Sequence, residues 1–198
     1  MDKIGSVQKR SEHQIERLAK MVRQELGVDP GARLAMQPIL EFALDDMIEG
    51  AYLRVASDSE MAGAEGRTDW HQPVITLSAG TYAALTKGDR RARMTAAHEL
   101  GHLLMHTKQP VYYYRERTKD NRLDPEWQAD TFAAALLMPA DAFRKMKSVR
   151  QAMSAFGVSR SAALRRARGL KMAIADDMVR RKRCEHKRKG SSSMNPTP

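Results

Sequence analysis

The chain has 198 residues and a net charge of +10, and 42% of its residues are hydrophobic. This apolar content supports one soluble domain of ordinary size and excludes a chain that is disordered throughout. A single cysteine, Cys184, excludes an intramolecular disulfide, and no stretch resembles a signal-peptide core or a membrane span. We therefore expect a cytoplasmic protein without a membrane partner.

The first half of the chain predicts helices and short strands. An approximate helical stripe of apolar side chains ends at Gly27, and Pro38 is well placed to open a second helix. We expect helices over residues 6–27, 38–48 and about 79–88, and strands over residues 51–56, within 61–70 and over 74–77.

The second half of the chain is mainly helical. Asp89 can cap a helix, and Asp124 followed by Pro125 is a typical helix start. We expect helices over residues 89–106, 124–138, 140–156 and 159–170, and a short edge strand over 111–114. Because a small mixed or antiparallel sheet accompanies many helices, we predict the α+β class.

Four segments follow from this pattern. We expect an N-terminal helical segment (1–50), a core (51–140), a helical segment resembling a helix-turn-helix (141–172) and a basic, disordered tail (173–198). Residues 165–189 carry +8 of the net charge, so basicity belongs to the C-terminal end rather than to the core.

The stretch His98-Glu99-Leu100-Gly101-His102 has the spacing of a zinc site. Residues four apart share one face of a helix, so the imidazoles of His98 and His102 can reach one metal ion. Glu99 lies at an adjacent edge, where a carboxylate can take a proton from water at the metal. The alternative is a helix that carries two incidental histidines.

A catalytic zinc ion usually has three protein ligands, so a further residue is needed. Glu126, in the first turn of the helix that begins at Asp124, is the best candidate. Asp130 lies four residues later on the same face, where it can accept a hydrogen bond from the Nδ1–H of a ligating histidine. Alternatively, Glu126 is simply an acidic residue that favours a helix N-terminus.

Residues 98–106 and 126–139 resemble the ImmA/IrrE family of zinc metallopeptidases, and residues 156–166 resemble that family's segment similar to a helix-turn-helix. The resemblance implies a helical zincin-type core with Zn²⁺ bound by His98, His102 and Glu126. It implies Glu99 as the catalytic general base. The family's second motif has Asn where this chain has Asp130, which keeps an acceptor but adds a negative charge.

The same resemblance implies an endopeptidase that cleaves a helix-turn-helix (XRE-type) repressor in a mobile-element or stress-response setting. A peptide substrate could add a strand to the sheet along residues 74–77. His106 and Tyr113 are candidates for stabilising the oxyanion, and His106 is also a weaker candidate for a metal ligand. Manganese or iron could replace zinc at such a site.

Two other classes of function are open from the sequence. The chain could be a DNA-binding regulator, with Arg160, Arg165 and Arg166 on phosphates and the basic tail adding weak non-specific affinity. The alanines of the same helix favour packing against the core instead. A third possibility is a zincin fold that binds its repressor without cutting it, although the intact Glu99 argues against a purely structural site.

Overall fold

The computed structural model describes residues 4–108, 112–114 and 120–177, and for residues 4–6 and 112–114 it describes the backbone alone. The strands are β1 (Ile4–Ser6), β2 (Tyr52–Ala56), β3 (Gly66–Thr68), β4 (Val74–Ser78) and β5 (Tyr112–Tyr114). The helices are α1 (Glu12–Glu25), α2 (Met36–Phe42), α3 (Leu44–Met47), α4 (Ala79–Thr86), α5 (Arg90–His106), α6 (Pro125–Leu137), α7 (Ala140–Phe143), α8 (Val149–Phe156) and α9 (Arg160–Gly169). None of the helices in these described ranges has the length and apolar character that crossing a bilayer requires.

The main sheet has three strands in the order β2-β4-β3. Strand β2 runs parallel to β4, and β3 runs antiparallel to β4, so the sheet is mixed. A second, two-stranded sheet pairs β1 with β5. This small sheet content among many helices confirms the predicted α+β class.

The predicted docking of a peptide along residues 74–77 is wrong. Strand β4 is the central strand, with β2 on one side and β3 on the other, so its backbone groups are already paired. A further strand can add only to an edge. Among the described residues, the edge that lies against helix α5 belongs to β3.

Three of the predicted helices begin at another residue or are interrupted. The helix expected over residues 38–48 begins at Met36 and is divided into α2 and α3. The helix expected over residues 6–27 begins at Glu12, because Ser11 and Gln14 form a capping box, and strand β1 precedes it. The helix expected over residues 140–156 is divided into α7 and α8. Ser148 starts the second of these, since its hydroxyl accepts a hydrogen bond from the Gln151 N–H.

Helices α5 and α6 pack closely because small residues lie between them. A Cβ atom on Gly101 of α5 would lie 3.0 Å from Phe132 Cδ1 and 3.3 Å from Ala129 Cα, both on α6. Phe132 and Ala129 are fully buried. The capping residues Asp89 and Asp124 begin these helices, as predicted. The close approach brings polar residues of the two helices into contact.

Three buried arginines hold helix ends together. Arg23 of α1 donates to Leu136 O at 3.0 Å, Arg166 of α9 donates to Met138 O at 2.9 Å, and Arg93 of α5 donates to Phe156 O at 2.8 Å. All three carbonyls lie at helix C-termini, where backbone acceptors lack helical partners. Burial, together with nearby Arg33, lowers the pKa of Arg93 to about 10.

Candidate metal centre

Helix α5 places the two motif histidines side by side. His98 and His102 lie four positions apart on the helix, and their Nε2 atoms are 3.0 Å apart. The rings meet edge to face, with centroids 4.7 Å apart. Two ring nitrogens at this distance need either a proton or a metal ion between them.

Helix α6 brings Glu126 to the same point. Its carboxylate oxygens lie 3.3 Å from His98 Nε2 and 3.4 Å from His102 Nε2. Zinc–ligand bonds of 2.0–2.1 Å in tetrahedral geometry put neighbouring ligand atoms about 3.3 Å apart. The three side chains therefore fit a zinc ion in both chemistry and spacing.

Asp130 lies one turn beyond Glu126 on α6. Its Oδ1 is 3.0 Å from His98 Nδ1, on the side of the ring that faces away from His102. Because a carboxylate only accepts, His98 carries a proton on Nδ1 and its Nε2 is the atom left for the metal. The hydrogen bond to His98 and, at longer range, Arg165 lower the pKa of Asp130.

The charges of the site favour a cation. Burial acts to lower the pKa of His98, but the carboxylates of Asp130, Glu126 and Glu99 outweigh it and raise the pKa to about 10. The neighbouring imidazoles of His102 and His98 hold the pKa of Glu126 well below its usual range. Without a metal, a proton on His98 supplies the positive charge, and a metal ion must displace it.

Glu99 is buried between α5 and β3. Its Oε2 accepts a hydrogen bond of 2.8 Å from the Thr68 hydroxyl, and burial raises the pKa of its carboxyl group. A Cβ on Gly66 would lie only 2.7 Å from Glu99 Cγ, so the strand offers room for this side chain because residue 66 is glycine. Sequence reasoning missed Thr68 and Gly66, since the strand and the motif are 31 residues apart.

His106, the predicted candidate for stabilising the oxyanion, lies buried behind His102. It is 1% exposed, its Nδ1 is 2.9 Å from His102 Nδ1, and its Nε2 is 3.1 Å from Gln128 Oε1. Both ring nitrogens are occupied on the far side of His102, so the geometry supports neither the oxyanion role nor the metal-ligand role. Burial lowers the pKa of His106 to about 4, which keeps the ring neutral. The Tyr113 side chain lies outside the described atoms.

The three arginines of α9 that were predicted to contact nucleic acid lie in different environments. Arg166 is 4% exposed and forms an ion pair with Glu16, so it is not available to phosphates. Arg160 pairs with Asp176. Arg165 is exposed and shares a cleft of 300 Å³ with Asp130. Most of the predicted basic tail lies outside the described residues.

Comparison with known proteins agrees with this site. The family model described as the IrrE N-terminal-like domain of peptidase family M78 matches residues 49–168, and the chain therefore belongs to the ImmA/IrrE family. The match includes His98, Glu99, His102 and Glu126. No curated protein matches the chain significantly.

One similar solved structure is a Mycobacterium tuberculosis transcriptional regulator. The two chains share 17% sequence identity with a TM-score of 0.54, over 78% of this chain and 46% of that chain. This likeness shows the shared fold. The present chain thus spans about half the length of the regulator that it resembles.

Proposed function

We propose that this chain is a zinc-dependent endopeptidase that cleaves a helix-turn-helix repressor and so relieves repression. One observation carries the proposal. Three ligand atoms from His98, His102 and Glu126 converge at 3.0–3.4 Å directly beside a buried glutamate, which is the arrangement that peptide hydrolysis by a zincin requires.

The residues have distinct roles in this proposal. His98, His102 and Glu126 would hold a zinc ion, which would supply Lewis acidity at the scissile carbonyl. Glu99 takes the proton of the attacking water and passes it to the leaving amine, and its raised pKa suits both transfers. Thr68 holds one Glu99 oxygen in place, so the other oxygen is left for the proton. Asp130 orients His98.

Among the described residues no strand pairs with the outer edge of β3, and this edge is the best place for a peptide substrate. Gly66 and Thr68 of β3 lie against Glu99, so a chain that pairs with this edge passes the general base. This assignment replaces the predicted edge on β4. The choice of a repressor as substrate follows from the resemblance to the ImmA/IrrE family, to which the chain belongs.

A mixing experiment tests the proposal. Zinc-loaded protein is incubated with the helix-turn-helix repressor encoded nearest to its gene, beside the Glu99→Gln variant, and fragments are identified by mass spectrometry. Loss of the general base should slow cleavage about 100- to 10,000-fold. Equal zinc content in the two samples is the control, because Glu99 is not a ligand in this arrangement.

The outcome separates the candidate functions. Fragments formed by the wild type and not by Glu99→Gln support the peptidase. Equal cleavage by both proteins contradicts it. A stable complex that neither protein cleaves favours the alternative, a regulator that binds its repressor without proteolysis.

A further inference from the structure

A continuous chain of hydrogen-bonding groups leads away from the metal site behind His102. His102 Nδ1 lies 2.9 Å from His106 Nδ1, and His106 Nε2 lies 3.1 Å from Gln128 Oε1. Gln128 Nε2 then donates to Gln8 O at 2.9 Å and to Arg122 O at 2.7 Å. Gln128 is fully buried, so its side-chain amide has these protein groups and not bulk water as partners.

The far end of this series of hydrogen bonds fixes the orientation of the Gln128 side-chain amide. The carbonyls of Gln8 and Arg122 can only accept, so the NH₂ group of Gln128 must face them. Its Oε1 must then face His106. An amide oxygen also only accepts, and the proton in the contact between Gln128 and His106 therefore belongs to His106 Nε2.

The remaining proton positions follow from burial. His106 is 1% exposed, and among the described residues no carboxylate lies within hydrogen-bonding distance of its ring, so a second proton on it would be an unpaired buried charge. Its Nδ1 is therefore an acceptor. His102 must donate from Nδ1, and its Nε2 keeps a lone pair that points at His98 and Glu126.

We propose that Gln128 and His106 are positioning residues that select the His102 tautomer able to bind a metal through Nε2. The two motif histidines are thus oriented by different means, His98 by an exposed carboxylate and His102 by a neutral, buried relay. The relay ends on backbone carbonyls at Gln8 and Arg122, so these two segments contribute to metal affinity without touching the metal. The inference rests on the proposed metal site and not on peptidase activity.

The tautomers can be read directly in the metal-free protein. Proton–nitrogen correlation NMR of the full chain with ¹⁵N-labelled histidine distinguishes protonated from bare ring nitrogens. The six histidines are assigned by single replacements. We expect His102 to be protonated on Nδ1 and His106 on Nε2. A wild-type His102 protonated on Nε2 would overturn the proposal, whatever the activity of the loaded enzyme.

Zinc affinity, measured by competition with a chelator, tests whether the relay matters. The His106→Leu variant removes the acceptor for His102 Nδ1–H, and we expect a loss of about 10- to 100-fold, as for other groups that orient a ligating histidine. In His106→Asn, the amide Oδ1 replaces the ring Nδ1 as acceptor, so affinity should return to within a few-fold of wild type. His13→Leu, at an exposed histidine of α1, is the control and should change nothing.

A purely structural role gives a different result. Equal losses of affinity in His106→Leu and His106→Asn would contradict the relay. If either variant fails to fold, Gln128→Met provides the decisive spectrum. It frees the Nε2–H of His106, and we expect part of the His102 population to move its proton to Nε2. An unchanged His102 tautomer in that folded variant would also contradict the proposal.

Discussion

The helix pairs α5–α6 and α8–α9 both bury polar side chains, but they use them differently. On α9 the buried cation of Arg166 faces acceptors, the Met138 carbonyl and the Glu16 carboxylate, so that charge is matched inside the protein. In α5–α6, the Nε2 atoms of His98 and His102 converge with the Glu126 carboxylate, where a cation from outside the fold can replace the proton on His98.

The difference separates a binding site from a packing contact. Both regions are recognisable as sequence motifs, and both present charged residues on predicted helices. A buried polar group that finds its partner within the fold stabilises the fold. A cluster of metal-binding side chains that takes its cation from outside the fold marks a place where a ligand binds, and the proposed function depends on that distinction.

The largest expected effect is on zinc affinity and comes from removing the carboxylate ligand of the proposed metal site. Glu126→Gln should lower zinc affinity by at least about 100-fold, more than is typical for residues that only orient a ligand. Chelator competition measures this loss. Asp124→Asn is the matched control, since it makes the same chemical change two residues earlier and keeps a good N-cap. Equal zinc affinities in the two variants would contradict the assignment of Glu126 as a metal ligand.

A smaller effect should follow from moving the general base without touching the ligands. The new methyl group in Gly66→Ala would lie 2.7 Å from Glu99 Cγ and push the carboxylate away. We expect about a 10- to 100-fold lower kcat, the scale of a 1 Å misplacement, with unchanged zinc affinity. Steady-state kinetics of repressor cleavage measure this kcat, and Gly80→Ala on α4 is the control. A normal kcat would argue against this placement of Glu99.

Around Arg166, whose charge is matched within the fold, a substitution should change the free energy of unfolding. Arg166→Met leaves Glu16 and the Met138 carbonyl without their partner, and we expect a loss of about 2 kcal/mol in the free energy of unfolding. Arg165→Met changes the exposed neighbour and should stay within about 0.5 kcal/mol of wild type. Urea denaturation of the two variants compares them. Similar stabilities would mean that the buried pair contributes nothing.

The smallest expected effect concerns DNA. Arg160 is paired with Asp176 and Arg165 lies beside Asp130, so neither should serve as a main phosphate contact. Replacing both by Gln should leave the salt dependence of any DNA binding unchanged, as measured by fluorescence anisotropy. A slope that falls by about one for each arginine would restore the DNA-binding hypothesis for α9.

Much of the site could be predicted from local sequence. The spacing of His98 and His102, the capping residues Asp89 and Asp124, and the position of Glu126 in the first turn of its helix all depend on neighbours within a few residues. The structure places these residues where helical periodicity puts them.

The missing parts depend on contacts between distant segments. The relay joins residues near positions 8, 106 and 128, and Thr68 reaches Glu99 across 31 residues. The burial of Arg166 is set by Glu16, which lies 150 residues away. The place of β4 in the centre of the sheet follows from strand pairing rather than from its own sequence. Periodicity contains no information on such pairings.

The most direct test of the metal site is a crystal structure of the zinc-loaded protein with anomalous diffraction measured above and below the zinc absorption edge. We expect one strong anomalous peak among His98 Nε2, His102 Nε2 and the Glu126 carboxylate. A zinc-loaded crystal with no peak there, or with its zinc held by other residues, would contradict the assignment.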